Sequence, residues 1–382
     1  DKAKPAATAG RESAPPLDQG GFDIRAVNPD PIECLQILNE HGEVEEGLSP
    51  DFTDEELLAV HRAMVLGRAF DARMLAMQRQ GQMGTFAPNL GQEACMMGQV
   101  WPLGPDDWFA PSYRSFGAQM WRGWSMDRLM TLWAGYHDGF PPPPEVNDLP
   151  FSIVIGSHVP PATGIAMAMR RAKDPHCVVT NFGDGAFSQG AVAESLNFAA
   201  VDQAPIVFVC ENNGWGISTP LDKQAGQPIL ALRGLGYGVH SIRVDGNDIL
   251  AMMTAMKEAC ERARRGEGPT LVDAVTYRLS LHTTADHPTV YRNDALVEPW
   301  RARCPIRRLE TWLCKRGLMS ETQANELRDT CEEEVLAARE KFRAEAKARP
   351  REIFDHLYAS LPPELEEQRM EYLRRLDRKG VE

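Results

Sequence analysis

Residues 181–218 read NFGDGAFSQGAVAESLNFAAVDQAPIVFVCENNGWGIS, and this stretch decides the fold. An apolar run over 176–182 leads into Gly183-Asp184-Gly185. A helix is predicted from Gln189 to about Val201, and a second apolar run, 205–210, ends in Asn212-Asn213-Gly214. A strand, helix, strand unit of this kind belongs to a parallel sheet, with both strand ends on the carboxyl edge, where open α/β folds bind ligands. Asp184 offers a hard carboxylate oxygen there, and Asn213, 29 residues on, an amide oxygen. Mg²⁺ takes near-octahedral oxygen coordination completed by phosphates and water, so these groups suit a metal–diphosphate site. The glycines allow close approach of backbone to phosphate, and the helix start supplies N–H groups. Read alone, Gly-Asp-Gly is equally a tight turn.

The alternation continues outward. Residues 152–155 are predicted as a strand end, 162–172 as a helix, and 239–244 and 271–276 as strands, with Asn247 capping a helix through 265. This pattern specifies a parallel sheet with helices on both faces. Thr53-Asp54-Glu55-Glu56 fits a capping box at the head of a long helix. Along it Leu57, Val60, Met64, Gly67, Phe70, Met74 and Met77 trace one face until Gly81, a packing stripe. The chain therefore divides into an extended N-terminal arm (1–45), an α/β domain (46–300) and a helical C-terminal region (301–382) that packs on the same domain or on partner subunits. The second capping box, Ser320-Glu321-Thr322-Gln323, opens a charged helix to about 347.

Composition narrows the function. A net charge of −13 argues against nucleic acid as a partner. No apolar run approaches the ~20 residues of a membrane span. Eight cysteines without close pairing or metal spacing read as reduced thiols, and the N-terminus resembles neither a secretory signal nor a transit peptide, so a cytoplasmic setting is expected.

The Gly-Asp-Gly to Asn-Asn stretch resembles the thiamine diphosphate signature. Glu194-Ser195-Leu196-Asn197 inside it and Gly214-Trp215-Gly216-Ile217-Ser218-Thr219-Pro220 after it are similar to the α subunit of the E1 component of 2-oxo acid dehydrogenase complexes, and within those the branched-chain enzyme. The resemblance implies the thiamine-diphosphate-binding fold and oxidative decarboxylation of a small 2-oxo acid. The acyl group then passes to the lipoyl group of an E2 acyltransferase. It also implies an α₂β₂ heterotetramer, in which the β subunit supplies the aminopyrimidine site and its glutamate.

Carried over residue by residue, Asp184, Asn213 and the backbone carbonyl of Trp215 would hold Mg²⁺ or Mn²⁺. Gly183, Gly185 and Ala186 would line the diphosphate, with Tyr113 and Arg114 reaching its oxygens. Ile153 and Ile155, in Phe151-Ser152-Ile153-Val154-Ile155-Gly156-Ser157-His158, resemble the segment that wedges the thiamine into its bent shape. Ile155 also reads as an ordinary buried strand residue. Some relatives hold potassium against this loop; Ser152, Val154, Ser157 and His158 would surround it here, but His158 replaces a glutamine, and no potassium is assigned. His282 resembles a histidine that reaches the diphosphate and assists proton transfer with a pKa near working pH. Its loop is long and polar, and is expected to order on cofactor binding. Phe86 and Tyr113 would line the substrate pocket, Phe86 reading equally as core. Glu211 departs from the arginine that relatives often carry, so either another cation compensates or it points away.

Three alternatives stand beside this reading. Within the class, pyruvate or acetoin is the substrate. Outside it, the chain is a non-catalytic scaffold, a reading that the presence of Asp184 and Asn213 disfavours. A nicotinamide-binding protein is disfavoured because GDGAFS lacks the third glycine of G-x-G-x-x-G.

Overall fold

The computed structural model describes residues 32, 34–45, 48, 51–347, 349–355 and 357–380. Seven strands form one sheet: β1 (Cys34–Leu35), β2 (Trp108–Ala110), β3 (Asn147–Asp148), β4 (Val178–Gly183), β5 (Ile206–Asn212), β8 (His240–Asp245) and β9 (Thr270–Val275). A small antiparallel hairpin, β6 (Trp215–Gly216) and β7 (Thr219–Pro220), leaves the end of β5. The sheet order is β1-β8-β9-β5-β4-β2-β3, and every pairing is parallel.

The strand sequences explain the layers. β5 is buried along its whole length, as a strand covered on both faces must be. Its side chains alternate: Val207 and Val209 enter one core, and Ile206, Phe208 and Cys210 enter the other. On the first face lie the Ile249–Arg264 helix and the long Asp54–Arg79 helix, which brings Leu57, Val60 and Met64. On the second face the Val159–Ala172 and Gly190–Asp202 helices pack through Ala162, Ala166, Val192 and Leu196. The rest of the long helix's stripe, Phe70, Met74 and Met77, joins a third cluster with Phe86, Trp133 and Phe342.

Both capping boxes form, at Thr53 with Glu56 and at Ser320 with Gln323. The cap of the Ile249–Arg264 helix is Asp248 and not Asn247: its Oδ1 accepts the N–H groups of Leu250 and Ala251 at 3.0 and 3.2 Å. Asn247 instead accepts the Thr276 hydroxyl at 2.6 Å and donates to the Arg303 carbonyl. Residues 152–155 form no strand. After one bridge, Ser152 to Ser112, they turn, and Ile153, Val154 and Ile155 stand exposed.

Part of the segment expected as the N-terminal arm (1–45) is held against the sheet. Residues 1–31 lie outside the described residues, but β1 pairs with β8, and Asp248 Oδ2 accepts the Ile37 and Leu38 N–H groups at 2.7 and 2.6 Å. Arg308, buried in the Pro305–Lys315 helix, then locks this segment from the C-terminal side. It pairs with Asp245 at 2.9 Å and donates to the Leu38 and Asn39 carbonyls. The Glu321–Glu345 helix packs along the long helix, with Arg62–Glu334 and Arg73–Glu332 bridges at its edge. Among the described residues no helix is long and apolar enough to cross a membrane, and the described cysteines other than Cys34 are free thiols.

Candidate active site

The register of the central strands builds the site. Gly183 is paired with Glu211, so Asp184 and Asn213 leave adjacent strands side by side at the carboxyl edge. There the chain encloses a cavity of about 460 Å³, within the ~300–1,000 Å³ of small-molecule sites. Its lining includes Tyr113, Arg114, Ile155, Gly183, Asp184, Gly185, Ala186, Asn213, Trp215 and His282. Ile153 and Phe86 are not in it. Ile153 points out from the turn while Val154 lines the cavity with Ile155, and Phe86 is fully buried between Phe116 and Trp133. Phe86 is therefore core, because its apolar ring finds a dry aromatic cluster behind the loop.

Asp184 and Asn213 both line the cavity. Asp184 is buried; Gln224 donates to its Oδ2 at 3.0 Å, and Oδ1 has no partner among the described residues. Burial pushes its carboxyl up to about 6, against the Gln224 hydrogen bond. A buried carboxylate with a free oxygen is a poor structural group but a good place for a cation. Asn213 Oδ1 accepts the Trp215 N–H at 3.2 Å, and its Nδ2 donates to Gln92 Oε1 at 3.1 Å. A Cβ on Gly183 would meet nothing within 4 Å, so this corner of the sheet is open. Among the described residues no three His, Cys, Asp or Glu groups gather as a metal cluster; one carboxylate with amide and carbonyl oxygens, the set that suits Mg²⁺, is not such a cluster.

Arg114 is buried, and its guanidinium donates to the Pro88 carbonyl and, at 3.1 Å, to the His282 carbonyl. His282 Nδ1 faces Arg114 at 3.2 Å and Arg278 at 3.4 Å. Arginine can only donate, so Nδ1 is the acceptor and the ring carries its proton on Nε2. Burial, then Arg114 and Arg278, lower its pKa to about 4. This corrects the expectation of a histidine poised near neutrality: the ring is a neutral Nε2–H donor. We expect the imidazole to titrate near about 4 in the free protein and higher once an anionic diphosphate screens both arginines. Histidine-resolved NMR titration checks this, and a midpoint above 6 without ligand would contradict it.

The His282 loop is knitted by its own hydrogen bonds, which its polar composition did not announce. Asp286 Oδ2 accepts the His282 N–H at 2.7 Å and the Tyr291 hydroxyl at 2.6 Å, and Arg292 donates to the carbonyls of Arg278, Leu279 and Ser280. Arg278 donates at 2.7 Å to the carbonyl of Ile217. Ile217 lines the cavity with φ +58°, a left-handed conformation that a β-branched residue rarely adopts.

Glu211 does not reach out to a cation. It is buried at the cavity floor, where its Oε1 accepts from Asn181 Nδ2 at 2.5 Å and Gln99 Nε2 at 2.9 Å, and burial raises it to about 7. The oxygens of the supposed potassium loop bond one another: Ser157 Oγ lies 2.9 Å from both Ser152 Oγ and the Val154 carbonyl, donating its one hydrogen to one of them. His158 Nε2 meets the Asn181 carbonyl at 2.7 Å. No local pattern in the sequence marks Gln92, Gln99, Gln224 or the Arg278–Ile217 contact, whose partners lie 121, 112, 40 and 61 positions away.

Comparison with known proteins decides the family. The model of the dehydrogenase E1 component family matches residues 61–351. The chain belongs to that family. This E1 chain is 41% identical over 340 residues to the pyruvate dehydrogenase E1 component subunit alpha of Acholeplasma laidlawii, covering 87% of this chain and 97% of the relative. It is 36% identical over 336 residues to the Bacillus subtilis protein of the same name, covering 87% and 91%. With the 3-methyl-2-oxobutanoate dehydrogenase subunit alpha of Mycobacterium tuberculosis it shares 38% identity over 349 residues, covering 88% and 93%. At the level where these relatives agree, it is an E1 α subunit of a 2-oxo acid dehydrogenase.

Proposed function

We propose that this E1 α chain binds Mg²⁺ and thiamine diphosphate and, with a β subunit in an α₂β₂ assembly, oxidatively decarboxylates branched-chain 2-oxo acids in the cytoplasm, passing the acyl group to the lipoyl group of E2. The observation that carries the reading is the buried Asp184 with its unpartnered Oδ1 beside Asn213 at the cavity floor. Thiamine diphosphate, when bound, supplies the electron sink for loss of CO₂. The protein's part is to hold and orient. Asp184, Asn213 and the Trp215 carbonyl hold the ion. Gly183, Gly185 and Ala186 keep the backbone close to the phosphates, and Arg114 sets the anionic end. His282 offers its Nε2–H to an oxygen of the diphosphate or substrate, while Asp286 fixes the backbone that carries it. Ile155 and Val154 give the cavity an apolar rim.

The branched-chain preference rests on the Trp215-Gly216-Ile217-Ser218 segment and on the apolar rim of Val154, Ile155 and Ile217, which suits a branched side chain. Pyruvate is the second reading, favoured by the name of the 41% identical relative. Steady-state assays of the assembled enzyme with 3-methyl-2-oxobutanoate and pyruvate separate them. We expect kcat/KM to favour the branched acid by about 10-fold or more, since one or two methyl groups in an apolar pocket discriminate by ~10–200-fold. A preference for pyruvate would reverse the assignment.

A further inference from the structure

Behind the cavity wall a buried polar side chain, Gln92, reaches the site through Asn213. Gln92 is fully buried, and its Oε1 accepts Asn213 Nδ2 at 3.1 Å. We propose that Gln92 is a positioning residue for the metal–diphosphate site, holding the Asn213 amide so that Oδ1 faces the ion. This rests on the reading of Asn213 as a metal ligand.

The orientation of both amides follows from one backbone group. The Trp215 N–H can only donate, so Asn213 turns its oxygen toward Trp215 and its nitrogen toward Gln92. Gln92 must then present its own oxygen, and its Nε2 is left buried with no partner among the described residues. A glutamine kept only for packing would satisfy both ends or be replaced by an apolar residue of equal volume. Here one end is satisfied, and it is the end that meets Asn213.

The backbone around Gln92 is held as a bracket. Its N–H donates to the Asn89 carbonyl at 2.9 Å, and the Gly91 N–H reaches both oxygens of Glu93, at 3.2 and 3.1 Å. Glu93 is itself buried and paired with Arg68 of the long helix at 2.7 Å. Asp71 of that helix accepts the Asn89 N–H at 3.0 Å. Gly91, at φ +95°, admits no side chain, since a Cβ would lie 2.7 Å from Leu279. The long helix thus fixes the turn, the turn fixes Gln92, and Gln92 fixes Asn213.

The test measures Mn²⁺ binding by electron paramagnetic resonance in the assembled enzyme with thiamine diphosphate present. Gln92→Met removes the acceptor at nearly constant volume, and Gln92→Asn withdraws it by one methylene. Each is expected to weaken Mn²⁺ binding about 10- to 100-fold, as loss of an outer-shell partner does. Gln92→Glu keeps an acceptor for Asn213 Nδ2 and should stay within about threefold of the parent. In an Asn213→Ala background Gln92→Met should add nothing further, because its route to the ion is gone. If Asn213→Ala weakens Mn²⁺ binding but neither Gln92→Met nor Gln92→Asn does, the positioning role is wrong. An equal loss in Gln92→Glu also overturns it. If Asn213→Ala itself leaves binding unchanged, the ligand assignment fails instead.

Discussion

Replacing Asp184 by alanine in the assembled enzyme is expected to abolish metal-dependent binding of thiamine diphosphate and to lower 2-oxo acid decarboxylation by at least about 10³-fold. A bound ion stabilises charge by several kcal/mol, and each 1.36 kcal/mol is tenfold in rate. Asp184 is the buried carboxylate with an unpartnered oxygen at the strand tip. The same change should act the other way on the metal-free protein. Burial raises the Asp184 pKa to about 6, above the ~3.9 of an exposed aspartate. Between those values the unfolded chain releases the proton while the folded one keeps it. Stability from this group is therefore full below about pH 4 and is lost as pH rises to about 6. At pH 8 without metal, Asp184→Ala should melt no lower than the parent, although its activity is gone. Calorimetry at pH 8 with and without Mg²⁺ reads both effects. A variant that melts lower without metal and still gains from Mg²⁺ as the parent does would make Asp184 a turn residue only.

The chain purified by itself is expected to show decarboxylation at least about 10³-fold below that of the α/β assembly, with restoration on adding the β subunit. Among the described residues lining the cavity, the carboxylates are Asp184 and Glu211. The first belongs to the proposed ion, and the second is turned down to Asn181 and Gln99 beneath the site. On the proposed reading, the acid for the aminopyrimidine would therefore come from another chain. The rim agrees: Ile153, Val154 and Ile217 are more than half exposed, as are Phe198 and Val201 on the neighbouring Gly190–Asp202 helix. Large apolar side chains left open beside a site are suited to being covered by a partner. Turnover by the isolated chain at the rate of the assembly would remove the split-site model.

Much of this molecule is visible in its one-dimensional pattern. Continuous apolar runs mark the central strands, a period-3.6 stripe marks the long methionine-rich helix, and Ser/Thr-x-x-Glu/Gln patterns mark both capping boxes, because each depends on residues within a few positions of one another. At 152–155 the same local pattern points to a strand where the chain turns. Ile-Val-Ile has strand propensity, but Gly156, at φ +75°, and the Ser152–Ser157 hydrogen bond bend it out to the cavity rim. Phe86 reads from its neighbours equally as pocket lining and as core, and only the packing of Phe116 and Trp133 around it decides for the core.

What the sequence determined by itself is the placement of Asp184 and Asn213 at the tips of adjacent parallel strands, since local alternation and a short connecting helix leave few other arrangements. The protonation of His282, the inward turn of Glu211 and the grip of Gln92 on Asn213 were decided only by the tertiary structure. Each depends on burial and on charges or amides contributed from far along the chain, and desolvation and hydrogen-bond geometry exist only once those segments have met.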